Sequence, residues 1–589
     1  LAPVLLDIGD LAIVMYCIYV FIYGALLMSP IDWIVLFSTL LLIITYGIFK
    51  SRNIRNIDGY LLGDRELPWY NVGLSVMATQ ASAITFLSAP GLAYTSGMSF
   101  VQFYFGLPLA MIVLCITFVP IFHRLRVFTA YEFLEKRFDI KTRALTAFLF
   151  LIQRGISTGI TIFAPSIILS TILHIDVTYT TLVMGSVVVL YTVYGGTKAV
   201  SYTQLLQMGI IFAGLLAAGF MVIRLLPEDI GFREALHIAG KSGKTNAIDF
   251  TFDLNNQYTV WTGLIGGFFL QLSYFGTDQS QVGRYLTGSS IRDSRMGLLM
   301  NGLLKVPMQF CILLIGVLVF AYYQYHTPPL FFNSIETKKL ENSSYKAEYM
   351  DLLQQQESLG EKKSQTIHEL TKALSHNDKA GIERKGEELN ALNTASTSLR
   401  EDVIKLIKKN DEHADVNDNN YIFLSFVTST FPKGFIGLLI AIIMLASMGA
   451  TASAINSLAS TTVIDIYKRF INKQGSERTY LKASRLFTLG WGIFTVIIAL
   501  YANKLGNLLE AVNILGSLFY GTILGIFLVA FYFKKIGGKA VFWSAIITEV
   551  IIIGIWKADI VAFLWLNLIG CILVILFGYL LQQGIKNND

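Results

Sequence analysis

The chain has 589 residues, of which 54% are hydrophobic and only 15% charged, with a mean hydropathy of +0.57 and a formal net charge of +6. A water-soluble multidomain protein needs more charge than this, and the apolar runs are repeatedly long enough to cross a bilayer core of about 30 Å, which takes roughly 20 residues. The composition excludes a soluble enzyme or a nucleic-acid-binding protein, and no stretch resembles a kinase, nucleotide-binding or nuclease motif.

In chain order, apolar spans are expected near 11–28, 33–49, 69–94, 99–121, 147–171, 178–194, 203–224, 260–281, 297–323, 433–462, 482–502, 508–532, 541–556 and 560–581. That is an all-α polytopic membrane protein with about 13–14 transmembrane helices. Residues 1–28 begin with Leu and carry Asp7 and Asp10 but no Lys or Arg, a poor match to a secretory leader, so they read as a trimmed or processed piece. The basic loops at Lys50–Arg65, His123–Arg143, Arg284–Arg295, Lys468–Arg485 and Lys534–Lys539 fall on one side of this plan. Cationic short loops mark the cytoplasmic side, which predicts a multi-pass protein of the cell membrane. Cys17, Cys115, Cys311 and Cys571 lie singly in apolar spans, so neither a disulfide framework nor a zinc site is implied.

Residues 331–420 break the pattern with 13 Lys+Arg and 17 Asp+Glu. Leu352, Leu353, Leu359, Ile367, Leu370 and Leu374, then Ile382, Leu389, Leu392, Leu399, Ile404 and Ile407, recur at three-to-four spacing with Gly381 at the join. This predicts two amphipathic helices folded as an extracytoplasmic hairpin. It reads either as a solvated insertion or as a docking arm for an extracytoplasmic protein partner; His368, His376 and His413 have no metal-like spacing.

Residues 77–90, MATQASAITFLSAP, crowd small and hydroxyl-bearing residues into an apolar span. Polar groups in a bilayer must face protein or a water-filled cavity. Ala78, Thr79, Ala81, Ser82 and Ala83 therefore either form a close-packing face or let the helix break and turn carbonyl oxygens toward a ligand, as discontinuous helices do at the midplane of transporters.

ITFLSAPGLAY, TAYEFLEKRFD (129–139), TVYGGTKAVSYTQLLQ (192–207), YFGTDQSQVGRYL (274–286), LLKVPMQF (303–310) and INSLASTTVIDIYKRF (455–470) follow in that order. Together they resemble the sodium/solute symporter family, carriers of sugars, proline, pantothenate, iodide, monocarboxylates and sialic acid. The resemblance covers about 33–582 apart from the insert. It implies the leucine-transporter fold with two inverted five-helix repeats. These would be repeat one at 69–224 and repeat two at 260–325 plus 431–533, separated by an extracytoplasmic loop at 225–259 and interrupted by the hairpin insert at 326–430. Peripheral helices would lie in 1–68 and 534–589.

The resemblance also implies sites. A sodium ion, the only expected cofactor-like species, would sit between backbone oxygens of Ala78 and Ala81 and the helix carrying Ala446, Gly449 and Ala450. Sodium-coupled relatives carry two hydroxyl residues where this chain has Gly449 and Ala450, and commonly an Asp where it has Gln204. Hard cations want oxygen donors, so ordinary sodium coupling is challenged. Ser447, Thr451 and Ser453 could substitute if the helix is rotated, or Asp278 could act as cation ligand or proton carrier. Asp278 could equally be a solvated end residue paired with Arg284 or Lys305. Gln80, Ser82, Gln271, Tyr274, Phe275 and Gln279 match cavity-lining positions of the family, though each polar one could instead satisfy a neighbouring backbone, and the two aromatic rings could stack on a sugar or simply pack. Arg154, whose guanidinium stays charged, needs a partner in the membrane: a substrate carboxylate, as in sialic-acid-carrying relatives, or an internal ion pair.

No nucleophile with a base is present, so no covalent catalysis is expected. The sequence points to alternating-access symport of a small polar, carboxylate-bearing or sugar-like solute. A sodium-independent or proton-linked facilitator and a transporter-shaped solute sensor are the alternatives.

Overall fold

The computed structural model describes residues 28–51, 57–173, 175–227, 230–412, 414–502 and 506–586. The first expected span, 11–28, lies almost wholly outside them, as do Cys17 and His413. Ten helices among the described residues are long and apolar enough to cross a membrane, and one further pair, bent by 59°, would cross together.

Helix α1 is Pro30–Ser51. The expected span at 69–94 is two helices, α2 (Trp69–Gln80) and α3 (Ala83–Ser96). The expected span at 99–121 is likewise segmented, into a short helical stretch at Met98–Tyr104, α4 (Leu107–Ile116) and α5 (Phe118–Leu125). The long helix α6 is Ile140–Leu173.

The run α7, Val177–Arg224, is 48 residues of continuous helical hydrogen bonding. At about 1.5 Å per residue a straight helix would set residues 191 and 203 roughly 18 Å apart along the axis. Yet the Tyr191 hydroxyl lies 2.9 Å from Thr203 Oγ1. The run therefore folds back near the Tyr-Gly-Gly block into Ala199–Arg224, long enough to cross a membrane, and Val177–Val193, a shorter apolar helix where a full span was expected.

After α8 (Phe232–Lys241) the expected span at 260–281 starts as a π-helical turn, Thr262–Gly266, and continues as α9 (Gly267–Thr277). It then breaks at Asp278 and ends as α10 (Gln279–Tyr285). Helix α11 is Ile291–Tyr325. The insert forms the hairpin α12 (Lys346–Ser375) and α13 (Lys379–Asn410), but its join is at 376–378. Gly381 is instead in the first turn of α13, its amide capped by Asp378 at 3.1 Å. Helices α14 (Asn419–Thr430), α15 (Phe435–Thr461), α16 (Glu477–Ala499), α17 (Leu508–Tyr532), α18 (Gly538–Lys557) and α19 (Phe563–Lys586) complete the chain.

The two faces of the bundle are stitched differently. On one, Arg65 donates to the carbonyls of Arg126 and Val127, Leu67 bridges to Gly288, Arg137 reaches the carbonyls of Phe533 and Ile536, and Arg469 pairs with Glu135. All five basic loops meet there. On the other, Tyr258 donates to Glu510, Asp32 accepts from the amides of Gly434 and Gly437, and the hairpin packs Ile367, Leu370 and Leu389 onto Ile238 of α8. A β-carbon on Gly316 or Gly91 would strike the carbonyls of Pro90 and Asn419, so these glycines are what let α11 and α14 lie directly on α3.

Candidate functional site

The break between α2 and α3 follows from hydrogen bonds that leave the helical register. Ala81 (φ −83°, ψ 77°) ends the helix. In a continuous helix the amides of Ser82 and Thr85 would serve the carbonyls of Ala78 and Ala81; here they donate to Gln80 O at 3.1 Å and Ser82 O at 3.0 Å. Both alanine carbonyls thus lose their helical donors, at the end of a run of small residues that can pack closely. The second break faces the first: Gln80 Nε2 donates to Gln271 Oε1 at 3.4 Å, and Gln80 Oε1 and Gln271 Nε2 have no partner.

Between the breaks lies a cavity of about 790 Å³ including the solvent in its mouth, reaching Gln80, Ser82, Arg154, Tyr274, Ala450 and Tyr520. Leu509 and Asn513, from the first turns of α17, also line it. On the basic face it is closed. Arg143 Nε donates to buried Asp465 at 2.7 Å and Nη1 to Glu135 at 2.6 Å, while Thr129 Oγ1 donates to Asp465 at 2.9 Å. Tyr131 donates to the Thr277 carbonyl at 2.9 Å just below the second break.

Arg154 is the charged centre of the cavity. Its Nε lies 3.4 Å from Asp278 Oδ2, Nη2 donates to Ser280 Oγ and to Tyr274 Oη (3.4 Å), and its guanidinium carbon sits 5.4 Å from the Tyr274 ring centre. Among the described residues Nη1 has no partner, so its two N–H groups remain for a ligand. Asp278 is not the solvated, Arg284- or Lys305-paired residue that one expectation allowed. It is buried, because the break places it inside the bundle, and it accepts from Tyr520 Oη at 2.8 Å and from the Ser280 hydroxyl and amide at 2.6 and 2.8 Å. The guanidinium's counter-ion is therefore internal.

Three other expected lining residues are elsewhere. Gln271 is fully buried, held by Gln80, and does not line the cavity. Gln279 Nε2 donates to Phe128 O at 2.8 Å and Oε1 accepts from Ala130 N at 3.0 Å, tying α10 to the loop after α5. Phe275 is fully buried, edge-on to Tyr274, and does not reach the cavity. Lining residues that the sequence did not flag include Ser157, Thr158 and Thr161. Thr158 and Thr161 lie four and seven residues beyond Arg154, a helical-face pattern that was visible; Tyr520 and Asn513 on α17 carried no such signal.

The residues expected at the cation site separate into distinct neighbourhoods. Gln204 occupies the space between α2, α7 and α15: Nε2 approaches Ser453 Oγ at 3.0 Å, Thr79 Oγ1 at 3.2 Å and Gly449 O at 3.2 Å, while Oε1 accepts from Ser75 at 2.6 Å. Gly449 O can only accept, which fixes which end of the amide is the donor. Ser447 instead donates to the Thr161 carbonyl at 3.2 Å, and Thr451 Oγ1 is buried without a partner. Ala446 is buried on the same helix and Ala450 borders the cavity. Ser447, Thr451, Ser453, Gln204 and Asp278 thus do not converge in one place: Ser453 stands with Gln204 and Thr79, Ser447 is on the Thr161 carbonyl, and Asp278 is engaged with Arg154. Among the described residues no group of three His, Cys, Asp or Glu is placed to hold a metal ion.

The comparisons agree with this architecture. The profile of the Sodium:solute symporter family matches residues 60–340 and 392–548. The sodium/sialic acid symporter NanT of Aliivibrio fischeri is 24% identical over 95% of this chain and 94% of its own length. The human sodium/iodide cotransporter is 32% identical, but over 46% of this chain and 41% of its own length, so the chain spans less than half of that relative. A solved structure described as the substrate-bound outward-open state of a sodium-coupled sialic acid symporter, with a novel sodium site, superposes with a TM-score of 0.72 at 21% identity, covering 94% of this chain and 98% of that one. The fold is therefore that of this transporter class, and the protein is a multi-pass integral protein of the plasma membrane, not an enzyme. With three quarters of its length matched by the profile, the chain belongs to the sodium:solute symporter family.

Proposed function

We propose that the protein is a sodium-coupled symporter of a small, carboxylate-bearing polar solute, working by alternating access across repeats at about 69–224 and 260–533. The observation that supports it most is the cavity between two broken helices, lined by Arg154, whose Nη1 makes no hydrogen bond or ion pair among the described residues, and by Gln80, whose Oε1 has no partner. A carboxylate accepts from a guanidinium in a planar fork, and the amide suits hydroxyl groups. Tyr274 and Tyr520 stand ready to flank a ring. Sialic acid, which the full-length relatives' names carry, is an acidic sugar of this kind. Sodium would be held by the released carbonyls of Ala78 and Ala81 against Ala446 and its neighbours. One sodium moving down about 100 mV supplies about 2.3 kcal/mol, roughly a fiftyfold gradient before its own concentration term.

Counterflow in proteoliposomes tests this with N-acetylneuraminate, a short monocarboxylate and glucose, each with and without sodium. Acidic solutes should exchange and require sodium, and Arg154→Lys, keeping charge but losing the fork, should raise KM about tenfold. Equal competition by neutral and acidic solutes would end the carboxylate assignment. A second reading, a sodium-independent or proton-linked carrier or a solute sensor, is favoured by the lack of side-chain oxygens at Gly449 and Ala450; sodium-indifferent exchange would select the carrier and absence of any exchange the sensor.

A further inference from the structure

The hairpin is acidic overall, with 13 Lys+Arg against 17 Asp+Glu over 331–420. Where it meets the bundle the sign reverses. Helices α12 and α13, the loop at 241–244 and the outer ends of α3 and α11 surround a cleft of about 1360 Å³ that opens to solvent and shares no residue with the central cavity. Its charged lining is Lys241, Lys244, Lys363 and Arg400, and no Asp or Glu lines it. Arg400 is neutralised from behind by Asp418, and Lys244 is held by the Thr95 carbonyl over the Phe320 ring.

Lys363 has no such compensation. It is 5% exposed, and among the described residues no acid lies within ion-pair reach. Burial pushes its ammonium down to about 8. An ammonium so placed is costly unless an anion can reach it. The cluster is also built: Asn390 donates to Lys241 O at 3.1 Å and Asn393 to Ser242 Oγ at 3.2 Å, pinning the loop to α13 so that the cations surround one volume. The family profile passes over 341–391, the stretch that supplies Lys363 and Asn390, so this wall of the cleft belongs to the chain's own insert.

We propose that the cleft is a vestibular anion site, in which the hairpin captures the carboxylate of a small solute on the outer face, separate from the central cavity. Clustered cations lining a concave cleft concentrate anions there. The choice of a carboxylate as ligand rests on the acidic-solute reading; the site itself does not.

The test uses the wild-type protein. An impermeant amine-reactive ester acylates exposed and semi-buried lysines, and mass spectrometry reads modification at Lys363 and at the exposed hairpin residue Lys379. Labelling is run at constant ionic strength with millimolar N-acetylneuraminate, inorganic phosphate or mannitol. N-acetylneuraminate should slow acylation of Lys363 severalfold, leave Lys379 unchanged, and have no counterpart with mannitol. No protection by any anion, or equal protection of Lys379, overturns the site; protection by phosphate alone overturns its assignment to carboxylates. Protection of Lys363 in a protein that exchanges no acidic solute would leave the vestibule standing and remove the transport reading, whereas exchange without protection would do the reverse.

Discussion

At the residue scale, the question is what stands where a coupling ion's ligands would be. Gln204 answers it in part: its amide donors point at Thr79 Oγ1, Ser453 Oγ and Gly449 O, oxygens that would otherwise be open to a cation. A neutral donor group fills that pocket without bringing charge. Gly449 is the neighbouring position, and a β-carbon there would meet Gln207 Oε1 at 2.5 Å. The obstacle is the far end of a flexible side chain rather than the crossing of the broken helix. Gly449→Ser with Ala450→Ser should therefore be accommodated by Gln207 and add two oxygen ligands, lowering the sodium concentration for half-maximal uptake severalfold. Gln204→Asp, which turns donors into acceptors and adds charge, should act in the same direction. Sodium-titrated uptake at matched expression measures both. A wild type already saturated at low millimolar sodium, with no gain in either variant, would place the ion elsewhere. The absence of hydroxyls at 449 and 450 was plain in the sequence; that Gln204 bonds Thr79, Ser453 and the Gly449 carbonyl depends on the approach of three helices and was not.

At the element scale, what was legible was hydropathy and small-residue content, and what was not was backbone direction. The thirteen expected spans after the first are all helical, because an apolar run of about 20 residues has no other way to satisfy its backbone in lipid. The break after Gln80 was anticipated from MATQASAITFLSAP, where small residues are dense. The break at Asp278 was not: Gln279 and Phe275 were placed in the cavity with Tyr274 by the family resemblance, and the turn at Asp278 swings Gln279 onto the loop after α5. The hairpin was legible from periodicity, its join misplaced by a few residues because Asp378 rather than Gly381 starts the second helix. Its side of the membrane makes a direct prediction. The five basic loops gather on the opposite face, and cationic loops stay cytoplasmic. A cysteine at Asn377, in a background without the native cysteines, should react with an impermeant thiol reagent in intact cells; labelling only after permeabilisation would reverse the orientation.

At the scale of the whole molecule, an ionic cluster ties the segments of the basic face together beneath the central cavity, and the alternating-access reading makes that cluster the inner closure. The cluster is built from Arg143, Asp465, Glu135 and Arg469 and joins the short helix Glu132–Arg137, the start of α6 and the π-helical run Thr462–Ile471 that follows α15. It also explains why TAYEFLEKRFD and INSLASTTVIDIYKRF are among the segments that carry the family resemblance although neither supplies a residue to the central cavity's ionic centre. Removing one member of a buried pair costs about 3–5 kcal/mol in the state that makes it. The inward-open state must separate these segments, so it bears less of that cost. Asp465→Asn should therefore shift the population inward, where each 1.4 kcal/mol is about a tenfold change in ratio. Asn513 lines the cavity from the first turns of α17, the end whose Glu510 meets Tyr258 on the face opposite the basic loops. A cysteine there should react severalfold more slowly with an external thiol reagent once Asp465 is Asn, and Asp465→Glu should recover part of the rate. Unchanged reactivity in a monodisperse, ligand-binding Asp465→Asn protein would mean that the ionic cluster fastens the loops without weighting the two states, and that closure of the basic face is carried by the apolar packing of Tyr131 and its neighbours instead.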